Sequence, residues 1–267
     1  PTVIPSEKVP SRNDKIKSEV AIARVKPWSS WWFPKSSTLI FRANESGEES
    51  ALEKYDRVRS SRSSNTQSAA DFEAQKYLPN SASWEGLCDA WALASLLHAE
   101  PTHPITVNAG GGVFRKKITF SVGDQKALLL KTFEAVDDSN LKFYGQKFTG
   151  NVDGWIHPDI FPEQFHRFIE VQLFRNQQAF IMDHDAGIEM WNVPVFKANY
   201  LMSAVPDNPN AVFVRMWLYS AEPTTLSDLN FVGTREAVRE YHYVLEGTRN
   251  SSGDLEIESG YWVSGCL

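Results

Sequence analysis

Apolar and polar residues fall into two regimes along this chain. Between residues 87 and 174 the apolar positions recur at helical spacing. Residues 87–98 form an apolar stretch that stops before Pro101, residues 124–135 begin with an acidic first turn, and residues 162–174 open with Pro162 at a first-turn position. Downstream the period shortens to alternation. Residues 179–183, 191–198, 211–220, 241–248 and 255–263 read as strands, with Asn250-Ser251-Ser252-Gly253-Asp254 as the hairpin turn between the last two. Helices followed by a mostly antiparallel sheet predict an α+β fold with the helices packed on that sheet.

The stretches outside these regimes set the expected boundaries. Residues 1–26 are polar with early prolines and read as an extended or partly ordered N-terminal arm. Residues 27–34 hold three tryptophans, Trp28, Trp31 and Trp32, which need cover and are expected to pack onto the main domain. Residues 57–70 are rich in Ser and Arg and read as a flexible, solvated loop inside a single catalytic domain spanning 27–267. No internal repeat is visible.

Composition narrows the classes. A chain of 267 residues with 42% apolar and 12% aromatic residues has enough to bury a substantial core, which excludes wholesale disorder. The formal charge of −6, without a Lys/Arg cluster interleaved with aromatics, gives no reason to expect nucleic acid. The longest apolar runs, such as 127–130 and 211–214, fall far short of the roughly 20 residues a membrane span needs. A first residue of Pro rather than Met gives the expectation of a trimmed precursor, compatible with a secreted or cell-envelope location.

Two cysteines are too few for a disulfide framework, but one of them sits where a thiol becomes reactive. Cys88 lies in Trp84-Glu85-Gly86-Leu87-Cys88-Asp89-Ala90-Trp91-Ala92, where a loop of small residues turns into an apolar helix. A helix N-terminus is expected to lower the thiol pKa, and its free N–H groups, with Trp84, would surround a developing oxyanion. Cys266 is open to three readings: free thiol, partner of Cys88, or half of an intermolecular link. A nucleophilic thiol needs a base and a group that orients it. His98 is too far along the Cys88 helix, and His103 and His157 precede prolines. His166, His184 and His242 remain equal candidates, with Asp183 as the carboxylate at a strand end. Asp183-His184-Asp185 lacks a second His or Cys at a recognisable spacing, so no metal site is expected and no cofactor is required, although weak calcium binding there is possible.

Four segments resemble a known family in the same order. Trp191-Asn192-Val193-Pro194-Val195 resembles the Trp-Asn-Gln-Pro-Val core of the elicitor epitope in oomycete cell-wall transglutaminases. Gly86-Leu87-Cys88-Asp89-Ala90-Trp91-Ala92 resembles Gly-Ile-Cys-His-Ala-Trp-Ala, and Asp124-Gln125-Lys126-Ala127-Leu128-Leu129 resembles Asp-Ile-Lys-Ala-Leu-Leu. Phe165-His166 resembles a Phe-His pair. Across residues 83–262 the chain is thereby identified as a member of the transglutaminase elicitor family, which includes bacterial proteins.

That resemblance implies a papain-like cysteine-nucleophile fold and acyl transfer from glutamine to an amine. It implies Cys88, His166 and Asp183 as the triad and Asp124 in support, because the family pattern lacks histidine where this chain has His184 and His242. The pattern is departed from at Val193, at Asp89, and in the absence of a C-terminal His-Pro-Asp-Phe motif. The expected activity is that of a protein-glutamine γ-glutamyltransferase passing a thioacyl group from Cys88 to an amine or water, on protein substrates with accessible Gln and on amine donors. Cysteine protease and glutamine deamidase are the enzymatic alternatives. A surface recognition protein presenting residues 191–195 is the non-enzymatic one.

Overall fold

The computed structural model describes residues 8–9, 17–62, 67–110, 116–136, 142–145, 160–184 and 189–263. In chain order its elements are β1 (Lys8–Val9), β2 (Lys17–Ile22), α1 (Ala51–Ser60), α2 (Ala69–Ala74), α3 (Cys88–Leu97), β3 (Ile105–Ala109), β4 (Lys116–Phe120), α4 (Val122–Phe133) and α5 (Pro162–Ile169). A π-helical segment, Glu170–Arg175, extends α5. Strands β5 (Phe180–Asp183), β6 (Asn192–Val205), β7 (Asn208–Ala221), β8 (Glu236–Arg249) and β9 (Leu255–Trp262) follow. The fold is α+β, with its main sheet antiparallel in every pairing.

That sheet runs β1-β9-β8-β7-β6-β2, and β5 shares the β2 edge of β6. Alternation builds it: in β7, Val214, Met216 and Leu218 are buried while Arg215, Trp217 and Tyr219 between them keep partial exposure. Tight turns join the long strands. Asp207 takes the positive φ of 62° between β6 and β7, a conformation Asp tolerates, and the Asn250 side chain accepts from Ser252 and Asp254 N–H between β8 and β9.

Two buried clusters form the core around the sheet. Phe165, Ile169 and Leu173, from α5 and its π segment, pack on Tyr200, Met216, Tyr243 and Leu245. Trp28, Trp31, Phe33, Trp91 and Leu130 pack around Val193 at the start of β6. The tryptophan strap is thus part of the core, with Trp91 Nε1 donating to Trp28 O at 2.8 Å and Trp28 Nε1 to His98 O at 3.0 Å.

The segment read as a loop over 57–70 is ordered at both ends. α1 runs through Ser60 and α2 begins at Ala69, and Asp56 joins them by accepting from Ser68 Oγ and from the N–H groups of Ala69 and Ala70. Residues 63–66 lie outside the described residues. Within the expected N-terminal arm, Lys17–Ile22 is a strand of the main sheet, hydrogen-bonded to β6. Among the described residues no helix is long and apolar enough to cross a membrane.

Candidate active site

The approach to Cys88 is fixed by the strap. Trp32 O accepts from Leu87 N–H at 2.7 Å, Trp32 Nε1 donates to Ser83 O at 3.0 Å, and Lys35 N–H donates to Glu85 O at 2.8 Å. Only glycine fits at position 86, because a Cβ there would lie 2.7 Å from Trp32 Cδ1 and 2.8 Å from Trp32 O. α3 then starts at Cys88 without a side-chain cap, which leaves its first-turn N–H groups for other partners.

The other wall is the β5–β6 pair. Asp183 and Asn192 stand opposite each other, Asp183 Oδ1 accepts from Trp191 N–H at 3.0 Å, and His184 N–H donates to Trp191 O at 3.3 Å. Cys88 Sγ reaches this wall at Met190 O, 3.6 Å away. Asn192 Nδ2 in turn donates to Asp89 Oδ1 at 3.3 Å, tying the helix start to β6. Trp191 meets Trp32 edge to face at 5.3 Å and donates Nε1 to Glu189 at 2.8 Å.

The thiol itself is buried, 5% exposed, and donates to Asp89 Oδ1 at 2.8 Å. Burial pushes it up to about 12, and the charge and hydrogen bond of the Asp89 carboxylate push the same way. Hydrogen bonding from the backbone at Asn192 and Asp89 acts in the opposite direction. The expectation of a depressed thiol is therefore corrected: desolvation and an adjacent carboxylate outweigh the helix terminus.

The expected base is elsewhere. His166 is fully buried in the α5 cluster, with Nδ1 2.7 Å from Tyr243 Oη and its ring 5.4 Å from that of Tyr200. Tyr200 lies eight residues along β6 from Asn192, roughly 26 Å at the rise of an extended strand. The structure therefore does not bring His166 and Cys88 together. His242 faces the other side of the sheet from Tyr243, against Glu240 and the Phe213 ring. His184, half-buried just past β5, is the histidine among the described residues whose backbone borders this wall: its N–H donates to Trp191 O, next to the Met190 carbonyl that Cys88 contacts.

Asp124 caps α4 through Ser121 and pairs with Lys54 of α1 at 2.7 Å, a structural task. Trp84 is half-buried in the loop ahead of the nucleophile. Val193, Pro194 and Val195 are buried, so the segment 191–195 offers a partner only Trp191 and Asn192. Cys266, His157 and Asp185 lie outside the described residues, and among those described no three His, Cys, Asp or Glu side chains gather into a metal site. Asp89, Asn192 and the Met190 carbonyl were not legible as site groups; the facing positions of Asp183 and Asn192 across a strand pair were the available signal.

Comparison with known proteins adds a family and a fold. The family model described as Transglutaminase elicitor matches residues 58–213. The crystal structure of the GP42 transglutaminase from Phytophthora sojae superposes with a TM-score of 0.64 at 21% identity, covering 92% of this chain and 80% of that one. At that identity the likeness is one of fold. No curated protein matches the chain.

Proposed function

The chain belongs to the transglutaminase elicitor family, and from that premise we propose that it is a protein-glutamine γ-glutamyltransferase of papain-like architecture with Cys88 as nucleophile. The observation that carries this reading is the placement of the Cys88 sulfur at the uncapped start of α3 and 3.6 Å from Met190 O on the β5–β6 wall. A buried sulfur at a helix start, with backbone N–H groups beside it, suits acyl transfer, in which negative charge develops on the attacked carbonyl oxygen.

In the proposed reaction the thiol proton passes to the His184 imidazole as Sγ attacks the glutamine carboxamide carbon. The imidazolium returns that proton to the departing nitrogen, ammonia leaves, and a thioester remains on Cys88. A lysine amine then attacks the thioester, gives up a proton to the imidazole, and releases the isopeptide with the thiol restored. Asp183, beside His184 and bonded to the Trp191 N–H, holds the end of β5 against β6. The Trp32 and Trp191 edge contact supplies an apolar wall that limits water, which favours amine over hydrolysis.

Incorporation of a fluorescent primary amine into a glutamine-containing protein tests the reading. Wild type is expected to label the acceptor while Cys88→Ala does not. Release of peptides by wild type without labelling would assign a protease, and ammonia release without labelling a deamidase.

A further inference from the structure

Resting on Cys88 as the nucleophile, we propose that Asp89 is a proton-holding residue that keeps the resting enzyme in its unreactive thiol form. The geometry is asymmetric: the sulfur is 5% exposed, whereas Asp89 is exposed to solvent with one carboxylate oxygen 2.8 Å from the sulfur. That oxygen also accepts from Asn192 Nδ2 at 3.3 Å, so the carboxylate is anchored from β6. Any thiolate formed here is in direct contact with a negative charge and loses a hydrogen bond that only the thiol donates.

The surrounding elements do not offset this. Among the described residues, Asp183 and His184 at the end of β5, Glu189 ahead of β6 and Glu85 on the preceding loop are titratable groups of the flanking segments, and three of these four are carboxylates. Lys35 pairs with Glu85 at 4.0 Å. Release of the thiol proton therefore waits on an event that neutralises Asp89 or draws its oxygen away, such as hydrogen bonding by an arriving carboxamide N–H. The enzyme is thereby silent toward adventitious electrophiles and becomes reactive as substrate enters.

The test is the pH profile of Cys88 alkylation by iodoacetamide in full-length protein carrying Cys266→Ser, followed by mass spectrometry of the peptide containing Cys88. Asp89→Asn and Asp89→Ser remove the charge at an exposed helix-start position, and Asp89→Glu keeps it. Both neutral variants are expected to move the profile to lower pH and to raise the rate near neutrality about tenfold or more, with Asp89→Glu following wild type. Neutral variants whose profiles overlay that of wild type would overturn the proposal. Amine incorporation measured in parallel separates the two readings: shifted alkylation without incorporation leaves Asp89 its role and removes the transferase, and the converse removes Asp89.

Discussion

Gly86 lies directly against Trp32, so close that a Cβ would fall 2.7 Å from the indole Cδ1 and 2.8 Å from the Trp32 carbonyl oxygen. One of these neighbours is backbone already engaged by Leu87 N–H, so neither side has room to give. Gly86→Ala is expected to displace the loop that delivers Cys88 and to cost about 1–3 kcal/mol. Urea unfolding measures the loss, and amine incorporation should fall with it. A variant as stable and active as wild type would show that the strap does not set the position of the nucleophile.

The protonated thiol carries its own pH signature. Cys88 is raised from an ordinary value of 9.0 to about 12, with burial as the leading cause. The folded protein therefore keeps a proton that the unfolded chain releases, and the associated stability is complete below about pH 9 and is lost as pH rises toward about 12. Urea midpoints over that window should fall more steeply for wild type than for Cys88→Ser. Parallel curves would place the folded thiol at an ordinary value.

Much of the fold can be read from the chain, and what escapes has a physical reason. Strand β7, β6 from Phe196 onward and the start of β9 alternate because one face is buried, and α3, α4 and α5 show helical spacing or a first-turn proline. α1 escapes because only Ala51, Leu52 and the stem of Lys54 are buried along its length. β2 escapes because its pattern is inverted, with Val20 and Ile22 exposed and Ala21 buried. Cys88 is readable as a residue at a helix start. The pair Phe165-His166 looks the same whether the imidazole faces a thiol or Tyr243, a distinction that only tertiary packing makes.

Lys126 belongs to a segment that resembles the family, and the fold gives it a structural task. Its ammonium, 1% exposed, donates to Ser29 O at 2.6 Å, Glu100 Oε1 at 2.7 Å and Phe231 O at 2.8 Å. Burial lowers its pKa, opposed by the Glu100 hydrogen bond and charge. Lys126→Met leaves a carboxylate and two carbonyls without their cation, so a loss of about 3–5 kcal/mol is expected, smaller when combined with Glu100→Gln. Denaturant titration of the single and double variants checks this, and additive losses would mean that the two residues are not coupled.

The two histidines separate by what their loss removes. His166 sits in the interior against Tyr243, so His166→Ala leaves a buried hydroxyl without its ring partner and opens a cavity, at a cost of about 2–4 kcal/mol. His166→Gln restores a polar partner for Tyr243 and is expected to keep amine incorporation within about threefold of wild type below its unfolding temperature. His184 lies on the strand pair that touches the thiol, so His184→Gln is expected to lower incorporation about 100-fold or more while leaving the unfolding temperature almost unchanged. The reverse pattern, with His166→Gln folded but inactive and His184→Gln active, would return the base to His166 and require α5 to approach α3 in the working enzyme.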